Sequence, residues 1–104
     1  MLAALANGAV NGRGGLGSIR VNAGGNAGEF SDNVNYDGYA NSRYTIAVGA
    51  IDHNGVQSSY SEPGAPLIIT AYANDGSGVG MVTTDLVGTG NISNDYTDQM
   101  NGTS

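Results

Sequence analysis

The sequence ends in Asn101-Gly102-Thr103-Ser104, and a terminal serine hydroxyl of this kind is a potential nucleophile. A hydroxyl attacks a carbonyl only when a base removes its proton, and that base is in turn oriented by a carboxylate. His53 is the one histidine available, in Asp52-His53-Asn54-Gly55. That segment is a turn closing an apolar run, so an exposed turn residue is its expected role and the role of base is rejected. The remaining chemistry-bearing side chains are amides, which donate hydrogen bonds, and carboxylates, which pair with cations or hard metal ions. They are Asn26 in Ala23-Gly24-Gly25-Asn26-Ala27-Gly28, Asp32, Asp37 in Tyr36-Asp37-Gly38-Tyr39, and Glu62 in Tyr60-Ser61-Glu62. Taken singly, each has an ordinary reading. Asn26 and Asp37 suit turns, Asp32 and Glu62 suit surface loops, and Asn101 suits a frayed terminus or a glycosylation acceptor.

The elements that must position these residues can be read from periodicity. Leu2, Leu5, Ala6, Ala9 and Val10 share one helical face and form the end of a helix, which Asn11-Gly12 breaks. A glycine-rich loop from Arg13 to Gly17 leads into Ser18-Ile19-Arg20-Val21, predicted as a short buried strand. A long loop rich in glycine and asparagine runs from Asn22 to about Asn41, a length that marks function when its neighbours are ordered. Tyr44 to Ile51 is an apolar, β-branched run expected of a strand covered on both faces in a parallel sheet, and Leu67 to Tyr72 is a second buried strand. Ile46, Val48, Ile68 and Ile69 are the predicted core. After a turn over Asn74 to Gly78, Gly80 to Thr84 reads as an edge or hairpin strand, and Val87 to Asn101 is polar and turn-rich with no core of its own. The fold class is α/β, part of a mainly parallel sheet.

Several segments together resemble the kexin/furin branch of the subtilisin-like serine proteases. They are Gly12-Arg13-Gly14-Gly15-Leu16-Gly17-Ser18-Ile19, Ala23-Gly24-Gly25-Asn26-Ala27-Gly28, Asn35-Tyr36-Asp37-Gly38-Tyr39, Asn41-Ser42, Tyr60-Ser61-Glu62 and Asn101-Gly102-Thr103-Ser104. Their order is that of the family, and the similarity runs from about Leu2 to the last residue. The resemblance implies a three-layer subtilisin-like fold, of which residues 1–104 would be a partial catalytic domain, incomplete at both ends.

The same resemblance assigns roles. Ser104 matches the nucleophile delivered at the start of a helix, whose N-terminus favours developing negative charge. Asn26 matches the oxyanion-hole asparagine, and Asp37 the S1 aspartate that pairs with an arginine or lysine before the scissile bond. Asp32 and Glu62 match two of three carboxylates that hold a calcium ion beneath the S1 pocket. The third carboxylate and the aspartate and histidine of the triad are expected upstream of Met1, so the chain alone is expected to be inactive. Asn22 stands where furin-like enzymes carry a tryptophan, and Val34 and Tyr36 lie where a cysteine-containing loop would be. The sequence therefore implies a bacterial relative with a basic preference at S1 and no stricter requirement further along the substrate.

Composition limits the alternatives. The 104 residues suffice for one domain. A net charge of -6, with no lysine and only Arg13, Arg20 and Arg43, argues against nucleic acid and favours cationic partners such as peptides with a basic residue. Without cysteine there is no disulfide, thiolate nucleophile or thiolate metal site. No apolar run reaches the roughly 20 residues a membrane span needs, and a secreted or cell-surface location is what the family implies. The competing classes are a calcium-binding or adhesive module and a pseudoprotease fragment. The short repeats and acidic loops of the former are missing from the sequence. Oligomeric state is open at this stage, and an isolated chain with uncovered parallel strands is expected to expose apolar surface and aggregate.

Overall fold

The computed structural model describes residues 1–75, 78–93 and 95–104. Helix α1 spans Leu2–Gly15, but Gly12, Arg13 and Gly14 depart from helical backbone angles, so the regular helix stops at the predicted Asn11-Gly12 break. Only Leu5 of its apolar residues is buried. Strands β1 (Val21–Ala23), β2 (Ile46–Ile51) and β3 (Leu67–Tyr72) form a parallel sheet in the order β1-β2-β3. Strands β4 (Met81–Thr84) and β5 (Tyr96–Met100) form a separate antiparallel pair. The mixed α/β architecture with a parallel three-stranded sheet is the one expected.

The first strand begins later than its apolar run suggests. Pairing starts at Val21 opposite Ile46, while Ile19 is 77% and Val21 62% exposed. The cause lies just upstream, where the backbone N–H groups of Gly17 and Ser18 donate to the carbonyls of Gly12 and Gly8. The Arg20 guanidinium also donates to the Leu5 carbonyl. These bonds tie residues 17–20 to α1 and postpone the strand.

The predicted core also needs correction. Buried positions on β2 are Ala47, Gly49 and Ala50, and the central cluster is Val34, Ala40 and Ala47, with Leu67 packed against it. Ile46 and Val48 are half-buried, whereas Ile68 is 73% and Ile69 56% exposed. β3 is an edge of its sheet, and beyond half-buried Leu67 all its residues are exposed, so Ile68 and Ile69 reach solvent. The radius of gyration, 16.0 Å, exceeds the roughly 13 Å of a compact chain this long. The molecule is an open slab with uncovered apolar surface.

Asp52-His53-Asn54-Gly55 is a turn, held by the buried Asp52 carboxylate, whose Oδ1 accepts from the N–H groups of Asn54 at 2.9 Å and Val56 at 2.7 Å. The stretch from Val87 to Asn101 contains β5, which the sequence reading missed. Its side chains contribute little burial, and the backbone ladder to β4 defines it. The turn expected over Asn74–Gly78 runs through Gly76 and Ser77, which lie outside the described residues.

Candidate active site

The site is assembled from three loops at the ends of the parallel strands. The first is the glycine-rich connection after β1. Gly24 N–H donates to the Val48 carbonyl at 2.8 Å, which prolongs the β1–β2 pairing by one bond before the chain turns. Gly25 then adopts a φ of 110°, and a Cβ there would collide with the Glu62 carboxylate. Only glycine meets both conditions. The turn carries Asn26 outward to an exposed position.

The second loop, Tyr60 to Gly64, is the template for the others. Its Ser61 and Glu62 are buried. Ser61 Oγ accepts from the Ala50 N–H of β2 at 3.0 Å, anchoring the segment to the sheet. From there Glu62 Oε1 accepts from Ala27 N–H at 3.1 Å, and the Tyr60 carbonyl accepts from Gly28 N–H at 2.9 Å. The Pro63 carbonyl accepts from the N–H of buried Val34 at 3.0 Å. A single segment thus fixes both the Asn26 loop and the loop that carries Asp37.

The third loop is the tail after β5. Asn101 forms an isolated parallel bridge with Asn74, at the end of β3. Beyond it, Thr103 meets the Asn26 loop across 77 residues of sequence. Thr103 N–H donates to Asn26 Oδ1 at 2.8 Å, Thr103 Oγ1 donates to the same oxygen at 2.9 Å, and Gly25 N–H donates to Thr103 Oγ1 at 3.0 Å. A backbone N–H can only donate, so the Asn26 atom facing Thr103 must be its carbonyl oxygen. The Nδ2 donor is thereby turned away from Thr103. Ser104 follows directly, exposed at the rim of a cleft of about 300 Å³. Thr103, Tyr72, Met81 and Met100 also line that cleft, with β2 as part of its wall.

The structure therefore ties Asn26 to Thr103, the residue directly before Ser104. Asn26, Asp32, Asp37 and Glu62 do not line the cleft. Asp37 is exposed and closes its own turn, with Oδ1 accepting from the N–H groups of Tyr39 at 2.6 Å and Ala40 at 2.7 Å. Both bonds fall on one oxygen, so the turn does not consume Oδ2. Asp32 is exposed, its Oδ1 accepts from Asn33 N–H, and its own N–H donates to the Ala27 carbonyl at 3.3 Å. Asp32 and Glu62 are thus both tied to Ala27, one to each side of its backbone. Among the described residues no group of three His, Cys, Asp or Glu side chains could hold a metal ion. His53 is exposed in its turn. Sequence reasoning passed over Thr103 and Ser61 as individual residues. Both lay inside segments already singled out, and the usable signal was a hydroxyl flanking a glycine-rich turn and a buried acid.

Comparison with known proteins gives this geometry a context. The subtilase family model matches residues 2–104. The chain is 46% identical over 86 residues to a dibasic-processing endoprotease of Schizosaccharomyces pombe, covering 83% of this chain and 12% of that protein. It is 48% identical over 84 residues to the human proprotein convertase subtilisin/kexin type 7, covering 80% of this chain and 11% of the relative. Saccharomyces cerevisiae kexin is 44% identical over 85 residues, covering 82% and 10% respectively. The chain spans about a tenth of the length of these curated relatives.

Proposed function

This chain belongs to the subtilase family, and from that premise we propose that it carries the nucleophile and the oxyanion donor of a kexin-like serine endopeptidase. The observation that supports this reading best is the set of three hydrogen bonds at Thr103, which joins the residue before Ser104 to the Asn26 loop. In the proposed reaction Ser104 Oγ bonds to the peptide carbonyl carbon while its proton passes to a histidine supplied from outside these 104 residues. Negative charge then develops on the carbonyl oxygen, and Asn26 Nδ2 donates to it. Collapse of this intermediate breaks the C–N bond, and the amine leaves with the proton returned by the base. Water then attacks the resulting ester, and Ser104 regains its proton as the acid product departs.

Asp37 is the proposed partner of a basic residue before the scissile bond, through the oxygen its turn leaves over. Asp32 and Glu62 are proposed calcium ligands. Their hard oxygens suit that ion, and their shared attachment to Ala27 would let a bound ion brace the Asn26 loop. These two acids are too few to hold calcium alone, so further oxygen ligands must join them. Kexin and the dibasic-processing endoprotease are the relatives that motivate a basic preference, and the family suggests a secreted or cell-surface setting.

The test uses the longest gene product that contains these residues, assayed on a peptide with arginine before the scissile bond, with and without calcium. Cleavage should depend on calcium and be lost in Ser104→Ala, and Asp37→Ala should weaken the preference for arginine over alanine. Cleavage that survives Ser104→Ala would sink the reading, and a gene product that never cleaves would put a non-catalytic calcium-binding module in its place.

A further inference from the structure

We infer that the Arg13–Gly14 bond is a self-cleavage site, cut in one copy of this protein by another copy, an inference that rests on the proposed preference for a basic residue. An endopeptidase with that preference meets its own copies as substrates, so each basic residue it displays is a potential target. These 104 residues hold three, all of them arginine. A scissile bond must be drawn into the cleft as extended chain, so the target is the arginine whose flanks leave the fold most easily.

Arg20 and Arg43 do not meet that condition. The Arg20 carbonyl accepts from Ile46 N–H at 2.8 Å, its guanidinium donates to the Leu5 carbonyl at 2.9 Å, and the next residue, Val21, begins β1. Arg43 is exposed and lies over the Tyr44 ring, 5.8 Å from its centre. Two residues beyond it Thr45 is buried, and Ile46 then opens β2, the central strand. Seating either bond would pull β1 or β2 out of the parallel sheet.

Arg13 is placed differently. Gly12, Arg13 and Gly14 have already left helical backbone angles, and residues 13–16 are exposed. Arg13 has a φ of 54°, a left-handed conformation that a side chain disfavours, so extension relieves it. Among the described residues no atom lies within 4 Å of where a Cβ at Gly14 or Gly15 would stand, so the chain just after the bond has room to move. Hydrolysis adds water across the bond, leaving a carboxylate on Arg13 and a free amine on Gly14. The two pieces stay associated, because the bonds from Ser18 N–H to the Gly8 carbonyl and from Arg20 to the Leu5 carbonyl span the nick.

The test follows the longest gene product by mass and N-terminal sequencing during incubation at rising concentration. The native protein should accumulate a chain that begins at Gly14, at a rate that grows with concentration. Arg13→Gln should lose that product and keep its activity on the arginine peptide. Ser104→Ala protein should stay whole alone and be nicked after Arg13 when a trace of native protein is added. Trypsin probes the same three bonds independently of this active site. It should cut Ser104→Ala protein after Arg13 at least about tenfold faster than after Arg20 or Arg43, as the populations of locally opened chain require. Cleavage of the arginine peptide with Arg13–Gly14 left intact, earlier cutting after Arg20 or Arg43, or a nicking rate independent of concentration would each overturn the inference and leave the proposed function standing. A gene product that cleaves no arginine peptide would overturn both.

Discussion

The parallel sheet and the β4–β5 hairpin are held together by different means, and the candidate site lies where they meet. Around β2 the small residues Ala47 and Ala50 are buried, and Val34 and Ala40 pack beside them. Three buried polar side chains there are engaged too, while the buried hydroxyls of Thr45 and Ser58 have no partner among the described residues. Ser61 holds Ala50, Glu62 holds Ala27, and Asp52 holds its turn. In the hairpin, Val82 is 62% exposed, the register shifts between Met81 and Thr83, and the side-chain bond from Asn91 in the connection to Asp98 on β5 is open to solvent. The two sheets share no ladder. They are linked by the Asn74–Asn101 bridge and by the Thr103 bonds to Gly25 and Asn26. The lesson is that one half supplies a fixed Asn26 amide, the proposed oxyanion donor, and the other carries Ser104, the proposed nucleophile, on a tail that directional bonds must seat.

Substitutions should divide the same way in denaturant unfolding of the longest gene product. Gly25→Ala should have the largest effect, about 3 kcal/mol, because it forces a Cβ against the Glu62 carboxylate and into a left-handed backbone. Asp52→Ala should cost about 2 kcal/mol by removing the acceptor of two short backbone bonds within a buried turn. Ser61→Ala should cost about 1–2 kcal/mol through the orphaned Ala50 N–H. At the other extreme, Asn91→Ala in the hairpin should change stability by less than about 0.5 kcal/mol and leave kcat as it was. A hairpin substitution as costly as Gly25→Ala would erase the distinction between the two regions.

The sequence carried the site more fully than the packing. The Gly-Gly-Asn and Gly-Thr-Ser segments were legible through their ordered resemblance to the family, since each alone has an ordinary reading, and the structure joins them through Thr103 and Asn26. β2 and β3 were legible as strands from their β-branched runs. What burial they would have was not legible, because it depends on what covers each face. Ile68 and Ile69 look like core by composition and lie on an open edge. The start of β1 was obscured because bonds from Gly17, Ser18 and Arg20 to α1 override the apolar run. β5 was obscured because its middle residues Thr97, Asp98 and Gln99 are polar, and a backbone ladder leaves no hydrophobic period to detect. Roles for Asp32, Asp37 and Glu62 came from resemblance alone. The geometry adds that Glu62 also braces the Asn26 loop.

The central claim is that Asn26 and Ser104 form one reactive site through the Thr103 bonds. The most direct test is kcat for Asn26→Ala on an arginine peptide, measured beside the native protein. The account predicts a fall of about 100- to 1,000-fold with little change in KM, the loss expected when one oxyanion donor is removed. A kcat equal to that of the native protein would contradict it.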